Sequence, residues 1–353
     1  MFSDSVVLVT GASGFIASHI VKLLQEEDFR VRGTVRSLTN EDKLKRLNSL
    51  CPHAKHKLEL LEADLLMPKT WESAVKDVEF VIHVASPSPD DDGGDIIKVA
   101  VDGTINVLKA CANANTVKRI VLTSSCMAVF MVNRPSEVIR KEDDWSDPSE
   151  LEPYSRSKTL AEKAAWDFVK ELPADKKIEL AVINPAFVIG PVLHGSNGTS
   201  QELIKRLLER SIPAVPNCNI TIVDVRDVAL AHVRAMKLSE AAGMRHIVAT
   251  ANVSFPTIAQ ILKKEFLPQG YYVPTMVAPY FILWFASWFD KVIKLILPQV
   301  GRDYQFDDTR MKNVLEISPR SISESVIDMA YSMIESGLVF KSDKYHGPPR
   351  AAK

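Results

Sequence analysis

The chain has 353 residues, 46% of them hydrophobic and 25% charged, which is enough to bury at least one large core and excludes a disordered or fibrous chain. Its formal net charge of -1 leaves no electrostatic footprint for nucleic acid. The four cysteines, Cys51, Cys111, Cys126 and Cys218, are too scattered for a disulfide framework or a zinc site, and no metal is expected.

The first apolar run, SVVLVT, is preceded by neither a basic segment nor a run of signal-peptide length, so a reducing, cytoplasmic location is expected. The sequons at Asn197, Asn219 and Asn252 then have no route to glycosylation. This first strand leads directly into Gly11-Ala12-Ser13-Gly14-Phe15-Ile16-Ala17 and a helix over residues 15–27. Strand, glycine turn and helix in immediate succession form a dinucleotide site. Gly11 makes the turn, Gly14 lets the backbone approach a pyrophosphate at the helix N-terminus, and Ala17 allows close packing on the sheet.

The second strand, RVRGTV, ends in Arg36, with Lys43 on the following helix. An NAD site usually carries Asp or Glu here; cations suit the 2'-phosphate of NADP(H) instead. The third strand, KLELLEA, runs to Asp64 and Leu65 at an adenine position. The fourth, EFVIHVA, ends in Val84-Ala85-Ser86 at the carboxyl edge, where ligands of doubly wound sheets bind; His83 reads as a core histidine. A helix over 96–115 and a fifth strand, KRIVLTS, follow, the latter closing on Thr123-Ser124-Ser125.

A helix starting near Tyr154 places Tyr154 and Lys158 on one face at i and i+4. Ser125 can then hold a substrate oxygen while Tyr154 protonates it, with positive charge from Lys158 favouring the phenolate. Cys126 reads as a small packed residue, with a reactive thiol as the alternative, and His194 as lining the substrate entrance without a chemical role.

A sixth strand, IELAVIN, completes an alternating β/α pattern whose strands are apolar enough to be covered on both faces of a parallel sheet. Regularity breaks after Asn184-Pro185 in GPVLHGSNGTS. The lobe boundary is placed there: residues 1–190 bind the cofactor, 191–340 form a substrate lobe, and 341–353 form a frayed tail. Residues 220–236 again read as strand and helix, so the chain is expected to rejoin the first domain by about 220–245. The most apolar run, 277–289, is too short to span a bilayer and is expected to be a core or pocket helix, with an interfacial helix touching membrane as the alternative.

Together TGASGFIA, GTVRS, HVASP, TSS, YSRSK, NPAFVIGP and VDVRDVA resemble, in order and spacing, the extended short-chain dehydrogenase/reductases, most of all the dihydroflavonol reductase-like branch. The resemblance implies a Rossmann-type α/β fold, a doubly wound parallel sheet with a smaller C-terminal α+β lobe, and NADP(H) as cofactor. It assigns Ser125, Tyr154 and Lys158 to catalysis and Arg36 and Lys43 to the 2'-phosphate. It puts Thr123, Pro185, Val188 and Ser200 near the cofactor, and Ser86 with Phe130 at the substrate. Phe130 stands where dihydroflavonol reductases tend to be polar, so small or apolar carbonyl compounds are expected. A nucleotide-sugar epimerase or dehydratase, a hydroxysteroid dehydrogenase and a catalytically silent NADPH sensor remain rival readings.

Overall fold

A computed structural model describes residues 5–87, 95–130, 135, 138–194, 198–289, 293, 297, 300–301 and 303–349. The Asn197 sequon and the charged pair Asp290 and Lys291 lie outside them.

All six expected strands form: β1 (Val6–Thr10), β2 (Arg30–Val35), β3 (Glu59–Glu62), β4 (Phe80–His83), β5 (Arg119–Thr123) and β6 (Glu179–Pro185). After β7 (Phe187–Ile189), β8 (Val215–Pro216) and β9 (Asn219–Asp224), a further strand, β10 (Arg245–Val248), pairs with β6. The seven-stranded sheet is parallel throughout, in the order β10-β6-β5-β4-β1-β2-β3. The order reverses between β1 and β4, which places the ligand crevice at that switch point.

Between strands run α1 (Phe15–Glu26), α2 (Glu41–Asn48), α3 (Pro68–Ala74), α4 (Ile96–Ala114) and α5 (Pro153–Glu171). Strand side chains alternate between two apolar layers. Val7, Val9, Ile82, Val121, Ala181 and Ile183 pack on one face with α1, while Leu8, Val81, Ile120, Leu122, Leu180 and Val182 pack on the other with α3 and α4. One strand departs from expectation. β3 is an edge strand and none of its four residues is buried, whereas β10 at the opposite edge is buried throughout.

Past β6 come α6 (Thr199–Leu208), α7 (Val225–Lys237), β11 (Ala251–Ser254), α8 (Phe255–Phe266), β12 (Val277–Ala278) and α9 (Tyr280–Ala286). Residues 220–236 divide between two settings: β9 pairs with β7 and β11 in a small sheet, whereas α7 packs into the same layer as α1. A separate core joins α6, α8 and the helix Ile322–Glu335.

The apolar run 277–289, expected as a core or pocket helix, meets the cavity through Leu283 but is not a core helix. Pro279 caps α9, and Ala278, Leu283 and Ser287 turn inward, while Phe281 is 69% and Phe289 78% exposed. Hydropathy gives the same signal for an apolar helix whether or not another element covers it. Among the described residues, no helix is long and apolar enough to cross a membrane.

Candidate active site

Each βα turn at the carboxyl edge of the sheet contributes to one cavity of about 1330 Å³. Its first wall is the glycine turn. Gly11 has φ +65°, and a Cβ there would lie 3.2 Å from Ala85 Cα, so the close approach of β1 and β4 ends requires glycine. Thr34 holds the turn from β2, its hydroxyl accepting from Gly11 N at 3.1 Å and its carbonyl from Ala12 N at 2.8 Å. On the other side Thr10 Oγ1 accepts from Val84 N and Ala85 N, both at 3.0 Å, and lies 2.8 Å from His83 Nδ1. Gly14 caps α1 with no side-chain acceptor, leaving the helix N-terminus directed at the cavity. These features fit a dinucleotide pyrophosphate, which would take the place of the missing cap acceptor.

Ser13, Phe15, Ile16, Arg36, Lys43, Asp64, Leu65, Val84, Ala85 and Ser86 line the same cavity, as do Pro185, Val188 and Ser200. Asp64 also braces its own turn, with Oδ1 accepting from Leu66 N at 2.8 Å. Ser125, Phe130 and Tyr154 stand at the cavity's other end.

Two residues lie off the cavity wall: Thr123, expected at the cofactor, and His194, expected at the substrate entrance. Thr123 continues the face of Val121, so its hydroxyl turns away from the cavity and sits 2.7 Å from His232 Nε2. His194 is half-buried near Lys43 and Arg46 rather than at the cavity; burial lowers its pKa, and those cations lower it further. His83 is buried in the core as expected, its pKa lowered to about 3 by burial and by the charge of Lys158. Burial also drives the Cys126 thiol far above its ordinary range, with Sγ donating to Asn184 O at 3.1 Å, which favours the packed reading over the reactive one.

Ser125 caps a short 3-10 turn, its Oγ accepting from Met127 N at 3.2 Å, which leaves its own proton to offer. Glu152 caps α5 by accepting from Tyr154 N at 2.8 Å and Ser155 N at 2.7 Å, so the tyrosine stands in the first turn of the helix. Contrary to the expected stabilisation of a phenolate, the Tyr154 phenol is pushed up to about 12, first by burial and then by Glu152. Lys158 is not on the cavity wall; burial lowers it from 10.5 to about 8. Among the described residues its ammonium makes no hydrogen bond or ion pair.

Sequence reasoning missed the far wall. Tyr304 stacks on Phe130 with ring centroids 4.3 Å apart, and its carbonyl accepts from Thr221 Oγ1 and Asn252 Nδ2, each at 3.2 Å. The buried Arg140 guanidinium lies 4.8 Å from the Tyr304 centroid and donates to Phe130 O at 2.8 Å. No local motif announces such a wall, since its parts come from distant segments.

A parallel sheet with a glycine turn at its switch point, and a serine, tyrosine and lysine converging beside it, defines a nicotinamide-dinucleotide oxidoreductase of the short-chain dehydrogenase/reductase class. The profile of the NAD dependent epimerase/dehydratase family matches residues 7–249. The chain belongs to this family and is an NAD(P)-dependent reductase within its extended short-chain branch. It is 40% identical over 343 residues to cinnamoyl-CoA reductase 2 of Arabidopsis thaliana, covering 96% of this chain and 95% of that one. Cinnamoyl-CoA reductase 1 of Petunia hybrida is 37% identical over 341 residues, covering 95% and 94%. Among solved structures, Gre2 from Candida albicans in complex with NADPH superposes with a TM-score of 0.76 at 30% identity, covering 94% of this chain and 99% of that one. Yeast methylglyoxal/isovaleraldehyde reductase Gre2 complexed with NADPH gives 0.77 at 28%, covering 94% and 98%.

The buried ammonium carries a stability cost. The unfolded lysine binds its proton up to about pH 10.5 and the folded one only to about 8, so between these values the unfolded chain holds more protons and stability rises with pH. Below about 8 the full cost, roughly 3 kcal/mol at about 1.4 kcal/mol per pKa unit, is present. Replacing Lys158 with Met should therefore stabilise the cofactor-free protein at pH 7, and the gain should shrink above pH 8. Denaturant unfolding of both proteins across pH 6–10 checks this; a pH-independent difference would exclude a buried lysine charge.

Proposed function

We propose that the protein is a cytoplasmic NADPH-dependent carbonyl reductase that converts an aldehyde or ketone to an alcohol, with Tyr154 as proton donor. One observation carries the reading: a single cavity has Arg36 and Lys43 at one end and Ser125 and Tyr154 at the other, so a cofactor bound by the cations reaches the proton donor. The bound nicotinamide supplies hydride. Ser125 donates its hydroxyl proton to the carbonyl oxygen and fixes it beside the phenol. Tyr154, held protonated by burial, delivers its proton to that oxygen. Lys158 stabilises the phenolate left behind through its positive charge. NADPH is preferred because Arg36 takes the place of the ribose-binding acid. All four cysteines are free thiols, as suits a reducing compartment.

The Phe130–Tyr304 wall offers aromatic faces, and the apolar ring of Phe130 there favours small or apolar carbonyl compounds over polyphenols. The names of the relatives point the same way, to an aldehyde-forming or aldehyde-consuming reductase rather than a sugar-nucleotide epimerase.

A second reading, a hydroxysteroid dehydrogenase-like enzyme working at a lipid surface, is favoured by α9. Its one buried apolar side chain, Leu283, lines the substrate end of the cavity, while Phe281, Trp284 and Phe285 face outward. Trp, with an aromatic body and a polar N–H, suits a bilayer interface beside exposed Phe. This reading requires the protein to sediment with phosphatidylcholine/phosphatidylserine liposomes and Phe281→Ser/Phe285→Ser to abolish sedimentation. Recovery of all wild-type protein in the supernatant removes it.

Absorbance at 340 nm tests the main reading with short aldehydes, diketones, aromatic aldehydes, dihydroflavonols and ketosteroids as the panel. NADPH oxidation is expected with one carbonyl class. Tyr154→Phe should lower kcat by about 10³-fold while leaving NADPH binding nearly unchanged, which also separates an enzyme from a cofactor sensor; full activity in that variant sinks the mechanism. Arg36→Asp should weaken NADPH by at least about tenfold relative to NADH, since attraction becomes repulsion. Equal losses for both cofactors would mean that Arg36 is not the selector.

A further inference from the structure

The Ser-Tyr-Lys set stands on a second layer of polar groups buried beneath it. Ser124 and Asn184 end the neighbouring strands β5 and β6, and both continue the sheet face formed by Leu122 and Val182. On that face β10 adds Arg245, which pairs with Val182 in register. The three converge on Glu162, which is 0% exposed. Glu162 Oε2 accepts from Ser124 Oγ at 2.5 Å and from Asn184 Nδ2 at 2.9 Å, and Oε1 accepts from Arg245 Nε at 2.5 Å and Trp166 Nε1 at 3.3 Å. The same Asn184 amide nitrogen donates to the carbonyl oxygen of Ser125 at 3.1 Å.

Glu162 occupies a particular place on its helix. Residues 154, 158 and 162 follow at steps of four, so Tyr154, Lys158 and Glu162 share one face of α5. One carboxylate therefore ties the helix that carries the tyrosine and lysine to the strand end that carries the serine. Its counter-ion is itself fixed: Arg245 Nη1 donates to Glu142 O at 2.7 Å and Asp144 O at 2.5 Å, and its guanidinium lies 3.7 Å from the Trp145 centroid. A buried ion pair is weak evidence for stability, because apolar replacements of similar size are often as stable. Here the carboxylate instead spends its acceptor capacity on the two residues that flank and hold Ser125.

We infer that Glu162 is a positioning residue, which sets the placement of Ser125 relative to Tyr154 and Lys158 through Ser124 and Asn184. The inference rests on the catalytic reading of Ser125. A misplacement of about 1 Å in such a set costs on the order of 10²-fold in rate. The glycine turn follows β1, Arg36 follows β2 and Lys43 lies on α2, all away from Glu162, so cofactor affinity does not depend on this carboxylate.

The test compares wild type, Glu162→Gln, the double variant Glu162→Leu/Arg245→Met, Ser125→Ala and Ser125→Ala/Glu162→Gln, using NADPH and whichever of methylglyoxal, isovaleraldehyde or cinnamaldehyde wild type reduces fastest. For Glu162→Gln, kcat should fall about 10- to 100-fold with the Kd of NADPH within about twofold. The double variant removes the unpaired cation and should recover Tm, but not kcat, because Ser124 and Asn184 still lack their acceptor. In the Ser125→Ala background the Glu162→Gln change should cost less than about threefold, since its route runs through the serine. Wild-type kcat in Glu162→Gln, recovery of kcat together with Tm, or the full loss repeated on Ser125→Ala overturns the inference. Full activity of Ser125→Ala by itself would instead defeat the catalytic reading beneath it.

Discussion

A parallel sheet sealed on both faces leaves only its carboxyl edge for chemistry, and this constraint organises the whole chain. Apolar layers on either side of β1, β4, β5 and β6 exclude water from the strand interiors. Each strand must nevertheless end, and at its end the backbone and the next few side chains come free of the layers. The glycine turn, Arg36, the Val84-Ala85-Ser86 end, Ser125 and Pro185 are therefore neighbours in space because they are equivalent positions in topology. The order reversal between β1 and β4 then parts the covering helices and leaves room for an elongated ligand.

The same sealing sets the electrostatics. Charges beneath the edge have little access to water, so each is either paired or shifted. Glu162 and Arg245 are paired, and their remaining hydrogen-bonding capacity is used on Ser124, Asn184 and backbone carbonyls. Among the described residues Lys158 makes no such bond, and burial lowers its pKa to about 8. A residue selected for stability alone would not leave that ammonium bare; a cation kept available for a ligand or a phenolate would. The local instability is thus located where the proposed chemistry is.

How far the sequence alone reaches depends on the range over which the determining contacts act. The glycine turn was legible because strand, turn and helix are consecutive, and Tyr154 with Lys158 because helical spacing is local. Arg36 could be placed because it directly follows a recognisable strand. Thr123 was expected at the cofactor, although period-two alternation from Val121 already directs its side chain towards α7, where His232 meets it. The Glu162–Arg245 pair spans 83 residues and the Tyr304–Phe130 wall spans more, so neither has a local signature. α9 failed for a different reason: a run of Phe, Trp and Ile reports a preference for apolar surroundings, and the fold decides whether the chain itself supplies them.

Tyr154 shows how a correct physical term can give the wrong sign. Positive charge near a phenol does lower its pKa, and helical spacing puts Lys158 on the same face of α5 as Tyr154. Burial disfavours the phenolate more strongly, however, and Glu152, which the helix needs as its N-terminal cap, adds negative charge beside the ring. The cofactor-free protein accordingly holds a neutral tyrosine across the physiological range. For a reductase this is the useful state, since the donor must carry its proton before hydride arrives, and the neighbouring lysine matters most after the proton has gone. The reverse reaction needs the phenolate at the outset, and in this site only an additional positive charge next to the ring would supply it. The glutamate cap of α5 therefore reinforces the neutral phenol on which the proposed proton donation depends.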